Sequence, residues 1–422
     1  MQLAERHIIK SNHSLYKELD AVSFLSKNLY NKANYIIRQE FIKTSKEKEE
    51  GKIKNAIWIR YNKLQKDLQN GKDVDYKMLP AKVSQHVLQQ LDKNWKSFFA
   101  SIRDWKKNPS NYTGRPKLPK YKHKTNGRNI LCYTIQTISK VELRKGLVVL
   151  SGTTISVKTT QNAADIKQVR VVPKIGHYII EVIYNKNQRK NENIDKNKIA
   201  GADLGLNNLA AVTSNQRVQP LLINGRPLKS INQYYNKKKA KLQSFVPNKS
   251  SNRLVKLTNK RNRKVEDYLH KSSFQIVRHL EDNGIGLFII GKNKQWKTEI
   301  NIGKVNNQAF VNIPHARFIE MLQYKCELVG IDVIITEESY TSKCSFLDVE
   351  EMKHQEKYLG VRRHRGLFIS KEKVKINADC NGSGNIIRKV IPTAFNGNGI
   401  QGVVVSPKLV NPKGYHQLKK VA

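Results

Sequence analysis

The sequence predicts a multidomain α/β protein, and three observations carry that expectation. The chain has 422 residues, which suits about two to four domains of ordinary size. Helical periodicity fills its first quarter, strand-like alternation follows, and beyond residue 198 short apolar strands alternate with long helices. That last order builds sheets covered by helices. Hydrophobic residues make up 39% of the chain, enough for a sizeable core and too many for a disordered polymer.

Charge points to the partner. Lys and Arg number 77 against 34 Asp and Glu, a formal net charge of +43. Such an excess calls for a polyanion, and nucleic acid is the default. No run approaches the ~18 apolar residues of a membrane helix. The start, Met-Gln-Leu-Ala-Glu-Arg-His, lacks the apolar stretch of a signal peptide. No membrane partner is expected. Cys132, Cys326, Cys344 and Cys380 form no CxxC pair, which argues against a disulfide framework and against a four-thiolate zinc ribbon.

The elements follow in order. Residues 3–10 read as a short strand. Leu15, Leu19, Val22, Leu25, Leu29, Ala33 and Ile36 recur at threes and fours, the stripe of an amphipathic helix. The charged segment 44–54 reads as a loop or frayed helix end. A second helix starts near Pro80, with Val83, Val87, Leu91, Trp95, Phe98 and Ile102 on its apolar side. Trp95, Phe98 and Phe99 read as core. Residues 107–125 hold three prolines among lysines and arginines, which precludes regular structure. With Tyr112 and Tyr121 interleaved, they suit an extended strap on a phosphate backbone; a solvated linker is the other reading. Arg115, Lys117, Lys120, Tyr121 and Lys122 are its candidate nucleic-acid contacts.

Alternation at Val169 and Val171, and at Tyr178, Ile180, Val182 and Tyr184, predicts a small antiparallel sheet or barrel over 130–185. Residues 185–198 are a polar boundary. Residues 199–215 read strand, tight turn, strand. Residues 230–282 read as long basic helices, where Lys260, Arg261, Arg263 and Lys264 are either phosphate contacts or a solvated face. His270, on an apolar stripe, reads as a core histidine. Residues 286–290 and 333–336 read as buried strands, 314–329 as a helix, and 376–391 as a loop entering a helix. Trp296, among Lys292, Lys294 and Lys297, is an exposed aromatic candidate. The last thirty residues read as poorly structured.

Two positions suggest chemistry. In Gly201-Ala202-Asp203-Leu204-Gly205, small neighbours let a phosphodiester approach a strand carboxylate; an Asp in a tight turn is the plain alternative. Asp379 stands at a predicted helix start, where the dipole favours a carboxylate; a simple N-cap is its plain alternative. A strand Asp paired with a late helix-start Asp is what an RNase H-type nuclease needs. Such enzymes gather three carboxylates around two Mg²⁺ ions about 3.5–4 Å apart.

Here the sequence resembles a known family. LSKNLYNKANYIIRQ (25–39), GRPKLPKYK (114–122), GADLGLNNLAAVTS (201–214), YLHKSSFQIV (268–277), QYKCELVGIDVIITEESYTSKCSFLD (323–348) and INADCNGSGNIIRK (376–389) are together similar to TnpB (OrfB), the insertion-sequence RNA-guided nuclease related to type V CRISPR effectors. The resemblance implies an RNase H-like (RuvC) nuclease domain over 198–392 and a helical recognition lobe with its basic strap over 14–125. It implies a β-barrel wedge domain built from 1–13 and 126–197, and leaves 393–422 as a flexible tail. It implies RNA-guided double-strand DNA cleavage beside a short motif, a two-metal Mg²⁺ site, and a guide noncoding RNA from the element's end. A monomer on one RNA, cytoplasmic and nucleoid-associated in a prokaryote, is the expected working form.

The sequence departs from that pattern twice. The family's glutamate usually follows the strand matching 286–290, where this chain has Gly291. Two zinc knuckles are usual before the final Asp; here the insertion 343–375 keeps only Cys344, which His354 and His364 join at poor spacing, so no zinc is expected. Asp203 and Asp379 are the expected catalytic and metal-holding acids. The missing glutamate is sought at Glu299, Glu337 or Glu338. Glu337 and Glu338 follow an apolar strand, adjacent residues face opposite ways, and similarity to relatives with a relocated acid favours Glu338. A nuclease-dead, RNA-guided DNA-binding repressor is the alternative.

Overall fold

A computed structural model describes residues 1–189, 191–246, 251–293, 312–364, 366–395 and 406–412. The chain divides into two compact units, Met1–Lys186 and Asn187–Ala422.

The first unit runs β1 (Gln2–Lys10), α1 (Tyr16–Glu49), α2 (Tyr61–Asn70), α3 (Val74–Lys77), α4 (Ala81–Lys107), β2 (Leu131–Thr134), α5 (Lys140–Arg144), β3 (Leu147–Val149), β4 (Ser156–Lys158), β5 (Ile166–Lys174) and β6 (His177–Asn185). Strands pair in the order β1-β6-β5-β2, all antiparallel, and β3 pairs with β4. Among the described residues the larger ladder is open, with β1 and β2 at its edges. Val169, Val171, Tyr178, Ile180 and Val182 turn inward at alternate positions, as the sequence predicts. They share one core with Leu19, Leu29 and Ala33 of α1 and with Val87, Leu91 and Trp95 of α4.

Helix α1 continues to Glu49, through most of the segment expected to be a loop or frayed end. Thr44 Oγ1 accepts from Ile57 N at 2.9 Å and donates to Glu40 O at 2.8 Å, tying the late turns to the next segment. Gly51, with φ at +73°, then turns the chain away. Helix α2 was not legible: only Leu64 and Leu68 are buried on it.

The second unit runs β7 (Asp195–Asp203), β8 (Asn208–Ser214), β9 (Leu221–Asn224), α6 (Arg226–Ser244), α7 (Asn252–Asp282), β10 (Ile285–Gly291), α8 (His315–Val329), β11 (Asp332–Thr336), β12 (Val361–His364), β13 (Leu367–Ile369), β14 (Lys375–Ile376), α9 (Ala378–Val390) and β15 (Lys408–Val410). Six strands pair as β11-β10-β7-β8-β9-β15. The ladders β11/β10, β10/β7 and β9/β15 are parallel, and β7/β8 and β8/β9 antiparallel. Phe288, Ile290, Ala200 and Ala202 share a core with Leu269, Ile276 and Leu280 of α7 and Phe318 and Leu322 of α8. Helix α9 packs through Ile386 and Ile387 on Ile199 and Ile289. It comes so close that a Cβ on Gly201 would lie 2.6 Å from Ser383 O.

Several expectations are corrected. The strand over 333–336 is not fully buried: β11 is an edge strand, and Ile334 and Ile335 are 39% and 40% exposed. His270 is half-exposed, 3.6 Å from Glu266, because the buried stripe of α7 runs through Leu269 and Ser273 beside it. The tail is not wholly unstructured, since β15 adds a parallel strand to β9. Within the 343–375 insertion, for which the sequence suggests no elements, lie β12, β13 and the first residue of β14, whose short exposed strands leave no apolar pattern to read. No helix among the described residues is long and apolar enough to cross a membrane.

Candidate functional site: a carboxylate cluster at the sheet end

Asp203 is the last residue of β7. Ala202 pairs with Ile290 on β10, and Gly291 pairs with Thr336 on β11, so the three strands end nearly level. Helix α9 approaches this end from one side. A Cβ on Gly382 would lie 2.6 Å from Asp203 Oδ2, so a side chain there would displace the carboxylate. Burial, followed by the charges of Asp379 and Glu338, pushes the Asp203 carboxyl well above its ordinary range, and Arg362 partly offsets this.

Asp379 is not the helix cap. Asn377 is: its Oδ1 accepts from Asp379 N at 2.9 Å and Cys380 N at 3.4 Å. That frees the Asp379 carboxylate, whose Oδ2 accepts from Asn208 Nδ2 at 2.8 Å and whose Oδ1 lies 3.5 Å from Arg362. Asp203, Asp379, Asn208, Arg226 and Arg362 line one hollow.

The adjacent glutamates part company. Glu337 is exposed and takes Lys389 Nζ at 2.7 Å, a contact that holds its carboxyl below the usual range. Glu338 turns inward. Its N donates to Asn293 Oδ1 at 2.8 Å and its Oε2 accepts from Asn293 Nδ2 at 3.4 Å. Its Oε1 is buried with no hydrogen-bond partner. Burial, with Glu337 next, raises its pKa to about 7.

Among the described residues, no three His, Cys, Asp or Glu side chains are gathered closely enough to hold a metal ion. The donor chemistry nevertheless fits a hard divalent cation. The charges of Asp379 and Glu338, from two other segments, add to burial in raising the proton affinity of Asp203, and one buried Glu338 oxygen lacks a partner. Sequence reading missed Arg362, Asn208, Asn293 and Arg226. Asn208 stands in the quoted 201–214 stretch without a role read for it, the other three stand in no quoted motif, and only folding brings them beside the acids. Glu299, Trp296, Lys294 and Lys297 lie outside the described residues.

In the 343–375 insertion, Cys344 Sγ lies 3.4 Å from Glu351 O, and His354 meets the Tyr340 ring edge-on. Buried polar groups of α9 hold the segment. Asn385 Nδ2 donates to Thr341 O and Cys344 O at 3.0 and 2.8 Å, and Arg388 donates to Glu350 O at 3.2 Å.

The basic candidates fall in two places. Lys117, Lys120, Tyr121 and Lys122 line a hollow of the first unit with Tyr30 and Phe98, and Arg115 is exposed nearby in the sequence. Polar side chains of α1 hold this strap: Asn34 and Arg38 both donate to Pro119 O, at 3.0 and 2.9 Å, and Asn31 bonds Lys122 both ways at 2.8 Å. Lys260, Arg263 and Lys264 are exposed on α7. Arg261 is engaged internally, with Asn232 Oδ1 at 2.8 Å and Asn312 O at 2.6 Å.

Fold and site thus define a basic α/β protein with a carboxylate cluster at the end of its central strands. The OrfB_IS605 family, described as a probable transposase, matches residues 181–297, and the Cas12f1-like TNB domain matches 315–386. The TnpB-like protein ORF457 of Acidianus two-tailed virus is 24% identical over 434 residues, spanning 90% of this chain and 85% of that one. Over these stretches, and along most of its length, the chain is similar to TnpB-like proteins. Two solved structures are similar at 14% identity. A Cas12f1–sgRNA–target DNA complex covers 91% of this chain and 98% of its own, with a TM-score of 0.35. A CRISPR-Cas12f ternary complex covers 87% and 81%, with a TM-score of 0.36.

Proposed function

We propose that this chain is an RNA-guided DNA endonuclease encoded by a transposable element, with an RNase H-like (RuvC) domain in its second unit. It works as a monomer on one guide noncoding RNA and cleaves double-stranded DNA by metal-dependent phosphodiester hydrolysis. The observation that carries the reading is that Asp203 and Asp379 line one hollow at the end of β7, with the charge of Glu338 also acting on Asp203. Mg²⁺ would be held by these three carboxylates and would supply an activated water and charge neutralisation at the scissile phosphate. Asn208 orients Asp379. Arg362, at the mouth of the hollow, is placed to receive a phosphate oxygen. The +43 charge supplies sequence-independent grip on RNA and DNA, while guide pairing reads the target.

A binding-only repressor is the second reading. It is favoured by the absence, among the described residues, of a ready-gathered ligand set. The deciding experiment incubates the co-purified RNA complex with matched DNA in Mg²⁺ or in EDTA. Mg²⁺-dependent cutting, lost in Asp203→Asn and Asp379→Asn while target binding persists, supports the nuclease. Target binding with no cutting under any divalent cation supports the repressor.

A further inference from the structure

Glu338 follows the edge strand β11, yet its charge reaches Asp203 on β7, two strands away. Strand β10 lies between them and ends at Gly291. To join Asp203, the Glu338 side chain has to lean across that strand. A Cβ on Gly291 would lie 2.5 Å from Glu338 Oε1 and 2.6 Å from its Cγ. The glutamate, with Ile386 Cδ1 of α9 at 2.7 Å on the same site, therefore occupies the volume that a side chain at 291 would fill. Gly291 is not among the positive-φ glycines, so its backbone does not demand glycine; the space does. Asn293 adds the second constraint. Its Oδ1 accepts from Glu338 N at 2.8 Å while its Nδ2 faces Glu338 Oε2 at 3.4 Å. A carboxamide can accept from the first and donate to the second at once; a carboxylate cannot. One Glu338 oxygen is thus held, and the other is buried and unpartnered.

We infer that Gly291 and Asn293 are positioning residues for Glu338: the glycine cedes the space above β10, and the amide fixes the carboxylate there with one oxygen left open for a divalent cation. This rests on reading Glu338 as a nuclease carboxylate. It adds that side chains at 291 and 338 exclude one another.

The test is thermal melting of the full chain, first cation-free and then with Mg²⁺ titrated. Asn293→Asp sets a carboxylate against a carboxylate and should lower the melting temperature by about 2–4 °C. The drop should vanish in the Glu338→Gln background; equal drops in both backgrounds would overturn the Asn293 role. Gly291→Ala should stay within about 3 °C of wild type, because the atoms it meets belong to two side chains, Glu338 and Ile386, that can yield. Its Mg²⁺ affinity should nevertheless fall about 10–100-fold. Wild-type affinity in Gly291→Ala would overturn the space argument. The exchange Gly291→Glu with Glu338→Gly should regain a cation-induced shift that Gly291→Glu alone lacks. A wild-type chain with no Mg²⁺ shift, but with the Asn293–Glu338 coupling intact, would keep the positioning role and sink the nuclease reading.

Discussion

Arg362 and Asp379 stand 3.5 Å apart at the mouth of the carboxylate hollow, one on a short exposed strand and the other in the first turn of α9. This cation sits beside the acids proposed to hold a divalent metal ion. Its charge opposes the proton affinity that burial and like charges give Asp203. Arg362→Ala should therefore leave Mg²⁺ affinity unchanged or tighter, because a competing cation is gone. DNA cleavage should fall by roughly 10²-fold, the usual cost of deleting one positioned electrostatic donor. Parallel loss of Mg²⁺ binding and cleavage would instead make Arg362 a structural support.

Glu338 gives a pH signature without any substrate. Its folded-state pKa stands at about 7 against an ordinary 4.5. The folded chain therefore holds this proton more tightly than the unfolded chain does, and ionising it costs stability. The cost is absent below pH 4.5, grows between 4.5 and 7, and is complete above, at no more than about 3 kcal/mol. Glu338→Gln should match wild type in denaturant melts at pH 4.5 and exceed it at pH 8. A gap that does not change with pH would place Glu338 in open solvent.

These carboxylates differ in how far the sequence reveals them. Asp203 sits among small residues at a strand end and Asp379 opens a helix, so both belong to local patterns. The geometry at Glu338 is different. Nothing local says that Asn293, 45 residues earlier, bonds it, or that Gly291 leaves it room. Those relations depend on which strands are neighbours, and the β11-β10-β7 order follows from packing α7, α8 and α9 around the sheet. Periodicity found α1 and α4 because each buries a long apolar stripe. It failed at β12 to β14, held by short ladders and polar contacts. It also misjudged β11, since an apolar run does not tell an edge strand from a central one.

Lys325 offers a second titration, remote from the acids. Its ammonium donates to His270 O and Ser273 Oγ, both at 2.7 Å, and burial lowers its pKa from 10.5 to about 8. Between those values the unfolded chain is protonated and the folded chain is not, so this residue's contribution rises with pH across that window. Lys325→Met removes the desolvation cost and should be more stable than wild type at pH 7, by an amount on the order of 1–3 kcal/mol less the lost hydrogen bonds. The advantage should shrink as pH climbs from 8 toward 10.5. A constant advantage, or none, would count against a buried amine.

Asn34 links the core of the first unit to its basic strap. Its Oδ1 accepts from the buried Trp95 Nε1 at 3.1 Å, and its Nδ2 donates to Pro119 O at 3.0 Å. Asn34→Ala leaves the indole N–H unsatisfied in a dry site, which should cost about 1–3 kcal/mol. It also removes one of the two hydrogen bonds that pin Pro119 O, leaving that of Arg38, and so loosens the middle of the segment carrying Lys117, Lys120 and Lys122. A loosened strap has to be ordered further on binding, so RNA affinity should fall modestly while its salt dependence stays near wild type. Replacing the three lysines with alanine should do something different. Each lost phosphate contact removes one released counterion, so the slope of log affinity against log salt should flatten by about 2 to 3. Filter binding of the apo chain to a short RNA across a salt series separates the two outcomes. An unchanged slope in the triple variant would return the strap to the role of a solvated linker.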